Sequence, residues 1–213
     1  ESINRLCFVA PCASLIGSVR VGSQSSIWYG AVLRADACDN GMSTNEKRTK
    51  DWETKWLEMS NEERKAENQR SNGSEINGGM IVIGEGTNVQ DGVIVSAKLN
   101  HTIIGDWVTI GHNAQIHSAK IGSNVLIGMG SIINDNVHVK SNSFIGAGAV
   151  ISKGTTVPSG ELWLGNPARK FRDLTDEEIE KIGYQAEEYA KLSMTHTDTM
   201  ELGGNLKNLA VTD

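Results

Sequence analysis

Eighteen aliphatic residues recur at intervals of six along most of this chain, and that period restricts the fold more than any other feature. They are Val9, Leu15, Val21, Ile27 and Leu33; Ile83, Val89 and Val95; Ile104, Ile110 and Ile116; and Ile121, Ile127, Ile133, Val139, Ile145, Ile151 and Val157. Each hexad supplies one short strand and one tight corner. Three hexads close a triangular coil whose inward aliphatic residues stack on those of the next coil. Seven of the eighteen are followed directly by glycine, at Gly22, Gly84, Gly105, Gly111, Gly122, Gly128 and Gly146. Glycine suits corners where a side chain would clash or φ must be positive. A sandwich of ordinary strands would need hairpin turns every 8–12 residues, and the last seven positions run in one phase without them. The expected fold is therefore all-β, a parallel β-helix built on hexapeptide repeats, followed by a C-terminal α-helix.

The β-helix domain is expected over 1–160, with the repeats interrupted by an insert at 39–80. That insert holds a helical candidate near 50–68, with Trp52, Trp56 and Met59 on one face. It reads either as a solvated excursion or as an element docked on a neighbouring subunit, because two tryptophans on one face are costly to leave in water. After Val157 the period stops at Pro158-Ser159-Gly160. A turn and helix are expected over 161–192: Thr175 to Glu178 forms a capping box, and Ile179, Ile182 and Ala186 share a side. Such a helix can cover the open edge or the outer face of a β-helix. The tail, 193–213, shows no strong period.

Composition removes several classes of function. The net charge of −6 over 213 residues argues against a nucleic-acid surface, which needs clustered Lys and Arg. No apolar run approaches the ~20 residues that span a bilayer. Cys7, Cys12 and Cys38 form no CxxC pair and read as reduced thiols. The chain begins at Glu1 rather than Met, as removal of a targeting peptide or a trimmed terminus would leave it.

Counting hexads also places the candidate chemistry. Val95 and Ile116 fall on the same face of adjacent coils, so Ser96 and His117 point outward together about one strand spacing, ~4.8 Å, apart. Asn134 continues the column. Two stacked imidazoles there could share a metal ion; a serine above an imidazole is a poorer start. His112, on the preceding hexad and close to a corner, cannot easily meet His117 within one chain but could face the column of a neighbouring copy. His138 and His196 lack such companions and read as surface residues.

Three segments together resemble the γ-class carbonic anhydrases. They are Arg34-Ala35-Asp36; Gly84 through Asn88-Val89-Gln90-Asp91; and Ile110-Gly111-His112-Asn113-Ala114-Gln115-Ile116-His117. The turn Gly165-Asn166-Pro167-Ala168 also fits, although other hexapeptide proteins share it. The resemblance spans about residues 8 to 192 apart from the insert. It implies a left-handed β-helix assembled as a trimer, with zinc at each subunit interface held by two histidines of one chain and a third lent by its neighbour. By motif, His117 corresponds to one histidine of the pair and His112 to the lent one. Ser96 stands where the pair's other histidine belongs. Arg34, Asp36 and Asp91 correspond to the family's interface ion-pair set, and Gln90 to an amide near the metal-bound water.

Catalytic zinc needs three nitrogen or carboxylate ligands and an open water site, and a serine hydroxyl replaces neither the donor strength nor the geometry of imidazole. The expectation is a chain not catalytic by itself, with no zinc bound by this chain alone. A homotrimer would be deficient at every interface. In a heterotrimer with intact γ-carbonic anhydrase-type subunits, His112 could still complete a partner's zinc site. The resemblance includes the γ-carbonic anhydrase-like subunits of mitochondrial respiratory complex I. It implies a structural role there, beside the membrane-arm subunits on the matrix side of the inner membrane. Two alternatives stand beside this one. The chain could be a working zinc carbonic anhydrase, completed by His101 or by mixed interfaces. It could instead be a hexapeptide acyltransferase with His112 or His117 as base.

Overall fold

A computed structural model describes residues 7–35, 79–98 and 100–202. Asp36, Cys38 and the helical candidate with Trp52, Trp56 and Met59 lie outside the described residues. Three parallel sheets form the walls of the solenoid. Sheet A comprises β1 (Phe8–Val9), β4 (Ser26–Ile27), β7 (Asn88–Val89), β10 (Thr109–Ile110), β13 (Leu126–Ile127), β16 (Phe144–Ile145) and β19 (Glu161–Gly165), closed by the antiparallel β20 (Ala168–Asp173). Sheet B comprises β2 (Ser14–Gly17), β5 (Val32–Ala35), β8 (Ile94–Ser96), β11 (Gln115–His117), β14 (Ile132–Ile133) and β17 (Val150–Ile151). Sheet C comprises β3 (Val19–Val21), β6 (Ile81–Ile83), β9 (Thr102–Ile104), β12 (Lys120–Ile121), β15 (His138–Val139) and β18 (Thr156–Val157).

All eighteen periodic aliphatics occupy three in-register columns. Val9, Ile27, Val89, Ile110, Ile127 and Ile145 stack in sheet A. Leu15, Leu33, Val95, Ile116, Ile133 and Ile151 stack in sheet B. Val21, Ile83, Ile104, Ile121, Val139 and Val157 stack in sheet C. From the second coil onward every member is buried; Val9 and Leu15, in the first coil, are each 39% exposed. Burial of such columns supplies the apolar driving force that two-residue strands could not generate alone.

The two uses of glycine separate in space. Gly122, which follows a core aliphatic, has an ordinary φ, but a Cβ there would lie 2.5 Å from the Ser141 amide nitrogen of the next coil. Gly92 and Gly130 instead sit at corners with φ of +67° and +64°. Asn113 takes the same role at φ 57°, as asparagine tolerates the left-handed region best among residues with a side chain.

The C-terminal helix α1 (Asp176–Leu202) starts where the capping box places it. The Glu178 amide donates to Thr175 Oγ1 (3.3 Å), and the Thr175 amide donates to Glu178 Oε2 (3.0 Å). It lies along the outer face of sheet A, in contact with β1, β4, β7 and β10, and buries Ile182, Ala186 and Ala190. Two expectations change here. The helix continues past 192 to Leu202, so residues 193–202 are not irregular tail. His196 is not a simple surface residue: its ring lies 5.0 Å from that of Trp28 and 6.0 Å from that of Phe8, and Nδ1 is 3.3 Å from the Tyr29 hydroxyl. This aromatic cluster anchors the extra turns, and its members are too far apart in sequence to register as a period.

Candidate functional site

The outward positions of sheet B form one column, because strands of a β-helix repeat their side-chain orientation from coil to coil. Arg34 pairs in register with Ser96, and Ser96 with His117. The adjacency read from the hexads is therefore present. Ser96 Oγ lies 2.8 Å from His117 Nδ1. The hydroxyl occupies that nitrogen in a hydrogen bond where the family geometry calls for a second imidazole.

His112 is placed differently, at the corner between sheets A and B. Tyr29, Asp91, His112 and Met129 form a ridge along successive corners. It is held by bonds from the amides of Gly92 to the Tyr29 carbonyl, Asn113 to that of Asp91, and Gly130 to that of His112. Asp91 ties this ridge together. Its Oδ1 accepts from the Tyr29 amide at 3.0 Å, and its Oδ2 stands 3.3 Å from His112 Nδ1. A carboxylate only accepts, so it favours the tautomer with the proton on Nδ1. The Nε2 lone pair is then left for a metal, the usual division of labour between a ligating histidine and its supporting carboxylate. The ion-pair motif thus has Asp91 facing this chain's own His112, a contact that sequence spacing alone did not reveal.

Within one chain, His112 stands at the corner that Asn113 turns with its positive φ, while His117 lies beyond that corner on the outer side of sheet B, so the two rings belong to different faces of the solenoid. No group of three or more His, Cys, Asp or Glu side chains among the described residues converges as a metal site. Gln90 is buried on the outer face of sheet A, where its Nε2 donates to Asn88 Oδ1 at 3.2 Å. It therefore shares the corner region of Asp91 and His112, and within one chain it lies on a different sheet from His117.

His101 makes a structural contact. The Met80 amide donates to its Nδ1 at 3.0 Å, which puts the ring proton on Nε2. Burial, and then the nearby Lys120 ammonium, pushes its pKa below the usual histidine value. A ring engaged in this way presents no free lone pair in its resting tautomer, so it is not a ready substitute for the missing imidazole. His138 is exposed, as the sequence suggested.

The three-sheet solenoid with its capping helix is a hexapeptide-repeat protein. The repeat family described as "Bacterial transferase hexapeptide (six repeats)" matches residues 118–153. The chain belongs to the γ-class carbonic anhydrases. It is 37% identical over 91% of its length to Gamma carbonic anhydrase 1, mitochondrial, of Arabidopsis thaliana. It is 34% identical over 88% of its length, and 92% of the relative's, to a probable carbonic anhydrase of Methanocaldococcus jannaschii. The chain spans only 58% of the length of that Arabidopsis relative. Among solved structures, a hexapeptide transferase family protein from Anaplasma phagocytophilum is 32% identical with a TM-score of 0.61, covering 89% of this chain and 92% of that one. A putative acetyltransferase from Bacillus cereus is 27% identical with a TM-score of 0.62, covering 91% and 93%.

Proposed function

We propose that this chain is a structural, γ-carbonic anhydrase-like subunit of a trimeric module of mitochondrial complex I, on the matrix side of the inner membrane, and that it is not catalytic by itself. The carrying observation is the Ser96 to His117 hydrogen bond. The residues of one chain do not fit a catalytic zinc ion: the pair that should chelate it holds one imidazole and one hydroxyl. No step through a metal is therefore assigned to this chain alone. The mitochondrial setting draws on the names of relatives such as Gamma carbonic anhydrase 2, mitochondrial, of Arabidopsis thaliana. Consistent with a peripheral position, no helix among the described residues is long and apolar enough to cross a membrane.

A second reading is favoured by one observation, the Asp91 to His112 contact. It leaves His112 in the form required of a lent ligand, so an intact γ-class partner in a heterotrimer would find its third nitrogen here. The two readings divide on metal content. The chain purified alone is expected to hold far less than one zinc per subunit and to hydrate carbon dioxide no faster than buffer. Co-assembly with an intact partner is expected to restore zinc only at interfaces where the partner supplies the pair. Stoichiometric zinc with activity in the lone chain overturns the structural assignment.

A further inference from the structure

Sheet C carries a group of cations on its outer face that nothing described so far uses. Lys120 pairs in register with His138, and His138 with Thr156, so these side chains stand on neighbouring rungs ~4.8 Å apart. Lys140 comes directly after β15, two residues on from His138 and, at strand rise, about 7 Å away. Lys120 is half-buried, while His138, Lys140 and Thr156 are exposed. Among the described residues, none of the hydrogen bonds or ion pairs joins Lys120, His138 or Lys140 to a carboxylate, although the chain as a whole carries a net charge of −6.

Among the described residues, the titratable groups aligned here, Lys120, His138 and Lys140, are all bases. Burial lowers the Lys120 pKa; burial, then Lys120, then Lys140 lower that of His138; and burial, then Lys120, lower that of the neighbouring His101. Clustering like charges against a half-desolvated ammonium is unfavourable unless an anion answers them. Neighbouring members of the group stand ~5–8 Å apart at the backbone, and the outermost pair, Lys120 and Thr156, two rungs or ~10 Å apart, within the reach of a lysine side chain. Two ammonium groups, an imidazole and a hydroxyl can therefore converge on the several acceptor oxygens of a single phosphate group.

We propose that the outer face of sheet C is a phosphate-group site in which Lys120, Lys140 and His138 bind the oxyanion and Thr156 donates through its hydroxyl. The phosphate belongs either to a small soluble molecule or to a lipid headgroup, and the same residues serve both. Burial, and then Lys120 and Lys140, lower the His138 pKa, and an arriving anion opposes that shift by favouring the charged ring, so binding is coupled to proton uptake.

Titration of the full chain with inorganic phosphate at constant ionic strength, followed by NMR of the His138 ring and by calorimetry in two buffers of different ionisation enthalpy, tests the site. Saturable shifts at His138 with proton uptake are expected, and Lys120→Gln with Lys140→Gln should weaken binding about tenfold or more. Co-sedimentation with phosphatidylglycerol vesicles, against phosphatidylcholine vesicles, distinguishes the source. Lysine-dependent retention on the former assigns a lipid headgroup, and a response in solution without retention assigns a soluble phosphate. Lys140→Gln alone, at an exposed position, guards against loss of folding in the double variant. The proposal fails if neither arm responds, or if Lys153→Gln, outside the cluster, weakens binding as much as the pair.

Discussion

Installing the missing imidazole provides the most demanding test of the Ser96 column. Ser96→His breaks the 2.8 Å contact to His117 Nδ1, a loss of about 1 kcal/mol. It places two imidazoles on adjacent rungs at ~4.8 Å backbone spacing. Ser96 is only partly buried, so the larger ring projects outward into the column and not into the core formed by Val95 and Ile116. Four-ligand zinc sites in small domains bind with roughly 10–16 kcal/mol, or about 3 kcal/mol per ligand, so a restored ligand should raise zinc affinity by about two orders of magnitude. That gain exceeds the lost hydrogen bond. The assay is zinc content after gel filtration, with competitive chelator titration for affinity, on wild type and variant assembled as homo-oligomers. The reasoning is refuted if the variant, folded and in the same oligomeric state, binds zinc no more tightly than wild type. A wild-type chain already holding one zinc per subunit would refute it equally.

Asp91→Ala should release the His112 tautomer, seen as a shift of ring protonation from Nδ1 toward Nε2 in long-range proton–nitrogen spectra, and should weaken zinc at a mixed interface by about 10–100-fold. Ile116→Ala, at a fully buried position, should destabilise the fold by about 2–5 kcal/mol in urea titration, whereas Ile94→Ala on the exposed side of sheet B should change the monomer little. Thr175→Ala should cost about 1 kcal/mol by removing the helix cap. Glu178 is held down to about 2 by Arg172 and then by the Thr175 amide. Its contribution is therefore complete above the ordinary carboxyl pKa of 4.5 and disappears as the pH falls through about 2. The acid limb of the unfolding curve should flatten in Arg172→Gln, and an unchanged limb would count against the Arg172 to Glu178 pair.

The sequence reveals most of the solenoid because a β-helix has one rule, repeated. Ile116 must lie over Val95 once the six-residue phase is known, and Ser96 then lies beside His117. It reveals less of the helix, because α1 past 192 is fixed by His196, Trp28 and Phe8, partners that meet only after the coil has wound. The corner pairing of Asp91 with His112 is similarly a contact between turns. In sequence these residues are twenty-one positions apart in two motifs, and only the stacking of corners makes them neighbours. The basic group on sheet C is not legible in the sequence, because Lys120, His138 and Lys140 become neighbours only once their rungs are aligned.

The seam between β5 and β6 has a practical consequence. Ala35 and Ile81 bracket the long interruption, yet Arg34 still aligns with Ser96, and Arg20 with Val82, as if nothing intervened. A fold whose rungs touch only adjacent rungs can accommodate a large excursion at one vertex, since the closure entropy of a loop grows only logarithmically with its length. That vertex is accordingly the natural place to graft a reporter domain or an affinity handle without breaking the register of the stacked walls on either side of it.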